Sequence, residues 1–302
     1  MGVNKNRLKG FAFVILSVMI YSVQSVIARS VLIAGFSPML LAALKLISGL
    51  ITLSIFMIFL RKKLYFDKKD LSIWLIFAIV GGTLFAITLS NSFNLLGASQ
   101  AVIYLYTAPA FTVIFAHFYL KEKITLNKLI AVILVLFGTV AVALGAGGSS
   151  FEFNIIGFLF GIASGVTYGV FSVICKKLSA KYDNWNLNFF YILIASLAVS
   201  PTLAFFDWPQ LVSTNMNLLI WVFFYGAMIY GIGNFFFMKS MYYLEAGEVM
   251  IFANFEPVIS VILASLILSE KLMPLQMVGF IFILIAIFLI TKNDNKYVAL
   301  EG

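Results

Sequence analysis

The sequence predicts an all-helical polytopic membrane protein, with ten transmembrane helices arranged as two inverted five-helix repeats. Three observations predict it: a composition too apolar for water, ten apolar runs of spanning length, and a residue pattern that recurs about half a chain later. Hydrophobic residues make up 63% of the 302 and charged residues 11%, against about 45–50% and 25% in soluble domains. Polar surface cannot cover such a chain, so hydrocarbon must solvate it. At about 20 residues per span, ten helices leave only short loops. There is no room for a soluble ATP-binding module or a large ectodomain.

The apolar runs fall at 9–30, 38–60, 71–90, 97–119, 126–145, 155–176, 187–206, 217–238, 246–268 and 274–291. They lack period-two alternation and are too long for barrel strands. The first follows Lys5, Arg7 and Lys9, as a signal peptide would, but runs from Phe11 to about Ala28 with no small-residue cleavage site after it. It reads as a retained first helix. The others are separated by short charged or turn-rich breaks such as Arg61 to Asp70, Lys121 to Thr125 and Lys177 to Asn186.

With the N-terminus in the cytoplasm, 17 of the 20 lysines and arginines lie in or beside cytoplasmic loops. Only Lys271 faces the other side, while Arg29 and Lys45 fall within spans. This bias places both termini on the cytoplasmic side of the cell membrane. The formal charge of +8 is therefore a topology signal facing anionic lipid, not a nucleic-acid patch. A single cysteine, Cys175, excludes an intramolecular disulfide and a thiolate metal cluster. The single histidine, His117, lies near the cytoplasmic boundary and reads as interfacial. No P-loop, Ser-His-Asp set or metal-ligand cluster is present, so the sequence calls for no cofactor and no metal. A gradient or substrate exchange must supply the driving force.

Residues Ala98 to Lys123 and Ala246 to Lys271 align at an offset of 148, matching Ala98/Ala246, Pro109/Pro257, Ala116/Ala264, Leu120/Leu268, Glu122/Glu270 and Lys123/Lys271. The first and sixth runs align at 147, pairing Gly10/Gly157, Ser17/Ser164, Tyr21/Tyr168 and Ser25/Ser172. Matched proline, glycine, tyrosine and Glu-Lys are not supplied by generic hydrophobicity. The chain thus divides into repeats at about 1–147 and 148–302. Five is odd, so the repeats enter the membrane in opposite directions, the architecture of many secondary transporters with substrate held near the midplane. An old duplication retained in a structural protein is the bland alternative.

Each half ends its fourth helix with Pro, about a dozen apolar residues and L-x-E: Pro109 with Leu120-Lys121-Glu122, and Pro257 with Leu268-Ser269-Glu270. In this the chain resembles the drug/metabolite transporter superfamily, specifically its ten-helix EamA-type members, over essentially its whole length. The resemblance implies a secondary carrier, frequently an exporter of amino acids or other small metabolites, with a central cavity lined by both halves. Two departures stand out. The family often has Gly before the terminal Glu, where this chain has Lys121 and Ser269, and many members carry Arg where Lys45 stands.

Glu256 carries the most information. Eleven residues from Glu245 rise about 16 Å, close to the middle of a core about 30 Å thick. A carboxylate there is expensive and faces a cavity or a partner. It precedes Pro257, which frees backbone groups locally, and its repeat counterpart is Ala108. It reads as a proton or cationic-substrate site, or equally as a structural acid. Lys45, roughly 10 Å below the outer boundary, is its natural partner in a static pair or in exchange with substrate. Tyr21, Gln24, Tyr104, Tyr106, Tyr168, Tyr230, Asn234 and Asn254 lie near this level. They form either an aromatic cavity able to hold an amine by cation–π attraction or an ordinary interfacial set.

Glu122 and Glu270 end helices, where the dipole disfavours negative charge. They read as structural clamps compensated by Lys123 and Lys271 or by the N-terminus of the following helix. Gly157, Gly161, Gly165 and Gly169 form a small-residue face along the sixth helix. That face packs inside the bundle of a monomer, with homodimerisation as the alternative. A transporter of small polar metabolites, possible proton coupling included, competes with a membrane-embedded enzyme or scaffold acting on lipid-linked substrates. An enzyme needs several convergent acids or histidines, and the chain offers one deep acid. Transport is the reading.

Overall fold

The computed structural model describes residues 5–23, 27, 31, 36–145, 154–206, 208–268 and 272–291. Its described residues are helices and short turns, without strands. A first helix, α1 (Lys5–Tyr21), precedes nine helices long and apolar enough to cross a membrane among the described residues. These are α2 (Pro38–Phe59), α3 (Lys68–Gly97), α4 (Gln100–Leu120), α5 (Leu126–Gly145), α6 (Ile155–Ser179), α7 (Asn184–Phe205), α8 (Met216–Tyr243), α9 (Ala246–Leu263) and α10 (Pro274–Thr291). Local sequence starts several of them. Ser37, Asn154 and Asp183 cap α2, α6 and α7 by accepting from Leu40, Gly157 and both Trp185 and Asn186, satisfying amides that the first helical turn leaves open.

The two repeats interlock by exchanging their first helices. Gly157 of α6 lies so close to α3 that a Cβ there would come 2.6 Å from Leu96. Gly10 of α1 meets Leu244, just past α8, at the same 2.6 Å. Gly10/Gly157 and Leu96/Leu244 are repeat-related pairs, so one contact is made twice about the pseudo-twofold axis, each time between repeats. The rest of the glycine face continues this seam: Cβ atoms at Gly161 and Gly165 would strike Tyr104 Cβ at 2.6 Å and Thr107 Oγ1 at 2.5 Å. The face is spent inside the bundle. At the periphery α5 and α10 cross at Gly138 and Gly279, where either Cβ would collide with the other's carbonyl.

Two further irregularities obey the repeat. The third helix of each half contains a π segment, Ile76–Leu84 in α3 and Ala227–Gly233 in α8. The fourth helix of each half is interrupted: α4 between Leu105 and Ala108, α9 between Ala253 and Glu256. The breaks sit one turn before Pro109 and Pro257, which cannot donate to the preceding turn. Interrupted helices are tolerated at membrane depth where protein or a cavity surrounds them.

Candidate functional site

The π segments and the helix breaks converge on one small cavity of about 30 Å³. Helices α1, α3, α4, α6, α7, α8 and α9 line it, so both repeats contribute. The wider π turn leaves the Gly81 carbonyl able to accept from the Tyr191 hydroxyl at 3.0 Å. Ile229 and Tyr230 of the other π segment face the same space. Glu256, first residue after the α9 break, is the one carboxylate at the cavity among the described residues. Its contact is the Tyr106 hydroxyl, from the α4 break of the opposite repeat.

Of the residues named from sequence, Tyr21, Tyr168, Tyr230, Asn234 and Glu256 line this cavity together. The Tyr21 hydroxyl donates to Asn234 Oδ1 at 2.5 Å. Tyr168 stacks on Phe85, with ring centroids 5.0 Å apart. Gln24 and Glu270 lie outside the described residues. Tyr104 is placed elsewhere: it packs on Gly161 and edge-on to Phe158, because the close α4–α6 approach turns it into that seam. Asn254 is 1% exposed within the α9 break, donating to Met250 O at 2.8 Å.

The expected Lys45–Glu256 pair does not form. Lys45 is 2% exposed, and its Nζ lies 5.5 Å from the centre of the Tyr225 ring. Depth along the helices matches, but azimuth does not. The α2–α8 crossing is so tight that a Cβ at Gly226 would come 2.4 Å from the Lys45 carbonyl. This turns Lys45 onto α8 rather than toward α9.

Beneath the cavity, at the end of the bundle that carries α1's first turn, buried charges join the repeats. Arg7 donates to Glu248 at 2.9 Å. Lys128 pairs with Glu245 and, at 3.5 Å, with Glu122. Lys176 donates to Met241 O at 2.7 Å. Glu122 accepts from the amides of Ala246 and Gly247 at 2.9 and 3.5 Å, at the positive end of α9. Its compensation is therefore the N-terminus of a helix from the other repeat plus Lys128. The sequence points to Lys123 or the N-terminus of the following helix; the cation is instead Lys128, in the first turn of that helix, and the amides are those of α9. Lys121, at φ 58°, makes the left-handed turn that aims Glu122 there. Burial is the main influence raising the Glu122 carboxyl above its ordinary range, with Glu245 adding to it and Lys128 opposing it.

Sequence reasoning counted Arg7 and Lys128 only as basic residues in or beside cytoplasmic loops, left Glu245 at the edge of a break, and missed this network. Lys128 is 2% exposed and Glu248 likewise 2%. The spacing of Glu245 and Glu248, which form a capping box at the start of α9, was the available signal. Phe85, Phe171 and Tyr191, also at the cavity, carried no signal beyond hydrophobicity.

Residues 8–144 and 155–292 each match the EamA-like transporter family. An uncharacterized transporter of Clostridium kluyveri is 25% identical over 299 residues, which cover 95% of this chain and 94% of the relative. The Bacillus subtilis uncharacterized transporter YoaV is 21% identical over 270 residues, covering 89% and 92%. A protein of known crystal structure shares the fold with a TM-score of 0.78 at 17% identity, over 93% of this chain and 95% of that one. Two family matches, one to each half of an interlocked helical bundle, make this chain a multi-pass membrane protein of the EamA-like transporter family.

Proposed function

We propose that the protein is a secondary exporter of a small polar metabolite, with an amino acid as the reference substrate and proton coupling through Glu256. The observation that carries the reading is the position of Glu256: at a helix break, in a cavity between inverted repeats, without an ion-pair partner among the described residues. A carboxylate so placed can take up a proton or a cationic group and give it back as the repeats rock. The excess of basic residues assigns the α1 end to the cytoplasm, so the charge network below the cavity is the cytoplasmic closure. Loading from the cytoplasm then requires Arg7 to leave Glu248 and Lys128 to leave Glu122 and Glu245. The protein acts as a monomer, because the glycine face of α6 is occupied within the bundle.

The test is reconstitution into proteoliposomes with a labelled amino-acid mixture and an imposed pH difference. Gradient-dependent accumulation of at least one component supports the reading. Flux that ignores the pH difference removes the proton coupling, and no flux of any component removes the substrate class.

A further inference from the structure

A second, larger pocket of about 300 Å³ lies at the end of the bundle that carries α1's first turn. Its walls are the α6–α7 turn, residues 179–184, and Lys239 and Tyr242 near the end of α8. That volume is the lower end of the range that holds small ligands. Helix α6 ends at Ser179, α7 begins at Asn184 and α8 ends at Tyr243. A space framed by the ends of three spanning helices sits at the depth of lipid headgroups.

The charges on its wall are unequally committed. Lys181 is taken up by Asp67 and Asp70. The Asp183 carboxylate caps α7, accepting from the Trp185 and Asn186 amides at 2.8 and 3.0 Å. Lys239 has no carboxylate partner among the described residues, and its amine lies 5.4 and 5.8 Å from the centres of the Tyr242 and Tyr243 rings. One positive charge is left over. In the same wall Asn184, 9% exposed, donates to Phe235 O at 2.8 Å and keeps a buried Oδ1 that no donor reaches. The pocket thus offers one cation for an anion and one acceptor for a hydroxyl.

A phosphodiester carries a single negative charge, and a glycerol esterified to it adds hydroxyl donors. A choline headgroup has no donor for Asn184, and its cation finds no uncommitted carboxylate on this wall. Basic pockets between spanning helices bind anionic headgroups, and Tyr242, 40% exposed, is an aromatic of the kind found at that depth. We propose that this pocket binds the headgroup of an anionic glycerophospholipid, with its phosphate on Lys239 and a glycerol hydroxyl on Asn184. A lipid seated there joins α8 to the α6–α7 turn, which Lys181 already ties to the α2–α3 loop of the other repeat. The site stands apart from the central cavity and does not depend on what that cavity carries.

The experiment is native mass spectrometry of the purified full-length protein with equimolar phosphatidylglycerol, phosphatidylethanolamine and phosphatidylcholine of identical acyl chains. The expected result is one phosphatidylglycerol retained at least fivefold over either of the others. Lys239→Met should lose that preference. Lys177→Met should keep it, because Lys177 lies over Tyr119 and outside the pocket. Thermal unfolding separates the sources: the lipid should raise the wild-type midpoint, whereas glycerophosphoglycerol or inorganic phosphate at equal concentration should not. Equal retention of the three lipids by the wild type overturns the proposal whether or not any variant folds. So does a folded Lys239→Met protein with unchanged preference. Equal losses in Lys177→Met and Lys239→Met would mark diffuse attraction to a basic face and overturn the site. A soluble anion that matches the lipid's effect overturns the lipid as occupant.

Discussion

Tyr106 and Glu256 meet where both repeats interrupt their fourth helix, the phenol of one half against the carboxylate of the other. The contact crosses the repeat interface, so any rocking of one half against the other must stretch or keep it. Glu256→Gln preserves size and hydrogen bonding but cannot change charge. It is expected to abolish pH-driven substrate accumulation in proteoliposomes while equilibrium exchange persists. Full accumulation by that variant would remove Glu256 from coupling. Tyr106→Phe keeps the ring and should slow transport without unfolding the protein.

Gly165→Leu is expected to destabilise the protein by about 1–3 kcal/mol, the usual range for overpacking a tight contact. A Cβ at Gly165 would lie 2.5 Å from Thr107 Oγ1 and 3.0 Å from the Tyr104 carbonyl. Thermal unfolding in detergent measures it. An unchanged midpoint would mean α6 can withdraw from α4 freely.

Lys128→Met should loosen the end of the bundle below the cavity. It leaves Glu122 and Glu245 buried without their main cation, and breaking such a buried pair costs roughly 3–5 kcal/mol. The chain's single cysteine is a built-in reporter: Cys175 is fully buried on α6, within electrostatic range of Tyr168 and Tyr191 at the cavity. A small maleimide should modify it at least several-fold faster in the Lys128→Met protein. Equal rates would show that the charges do not hold this end shut.

Lys181 clasps Asp67 and Asp70 at 2.8 and 2.7 Å, tying the α2–α3 loop to the α6–α7 turn. Its hydrogen bonds hold both carboxyls below their ordinary range, and hold the Lys181 amine above its own. A carboxyl whose folded value is depressed stabilises the fold above its unfolded value, near 4, and stops doing so as pH falls through the folded value. The raised lysine contributes below about 10.4 and loses that contribution as pH climbs through its folded value. Lys181→Met should therefore lower the unfolding midpoint at pH 7, and the difference from wild type should vanish in strong acid. A difference that persists there would assign the effect to packing.

Lys121→Gly is expected to stabilise the protein by up to about 1 kcal/mol. A non-glycine residue in the left-handed region costs about 1–2 kcal/mol, partly offset because glycine loses more freedom on folding. Lys121 adopts φ 58°, which gives a physical reason for the glycine often found there in the family it resembles. A lowered midpoint would show that the Lys121 side chain contributes more than its backbone strain removes.

The repeat was legible because its marks are residues that hydrophobicity does not supply: Pro109 and Pro257, Tyr21 and Tyr168, Gly10 and Gly157. Depth was legible too, since rise per residue is constant, and Glu256 does sit beside the cavity. Direction around a helix was not. Lys45 and Tyr104 lie at suitable depths but are turned away, by Gly226 and Gly161 on neighbouring helices that no spacing rule connects to them. The buried charges were hidden for another reason. Lys128 and Glu245 stand at helix ends, where solvated loop residues and buried interlocking ones have the same composition.

The exchange of first helices has a consequence for how the chain is made. Arg7 and Glu248 are 241 positions apart, and Gly10 docks on Leu244 over a similar separation. Helix α1 thus leaves the ribosome well before its partners and takes its seat only once α8 and α9 have been synthesised. Its glycine and polar face must meanwhile tolerate lipid or borrow other contacts. Contacts so distant along the chain slow assembly. The N-terminal five helices, expressed alone, should insert yet remain unfinished, and supplying the C-terminal five as a separate chain should complete both halves at once.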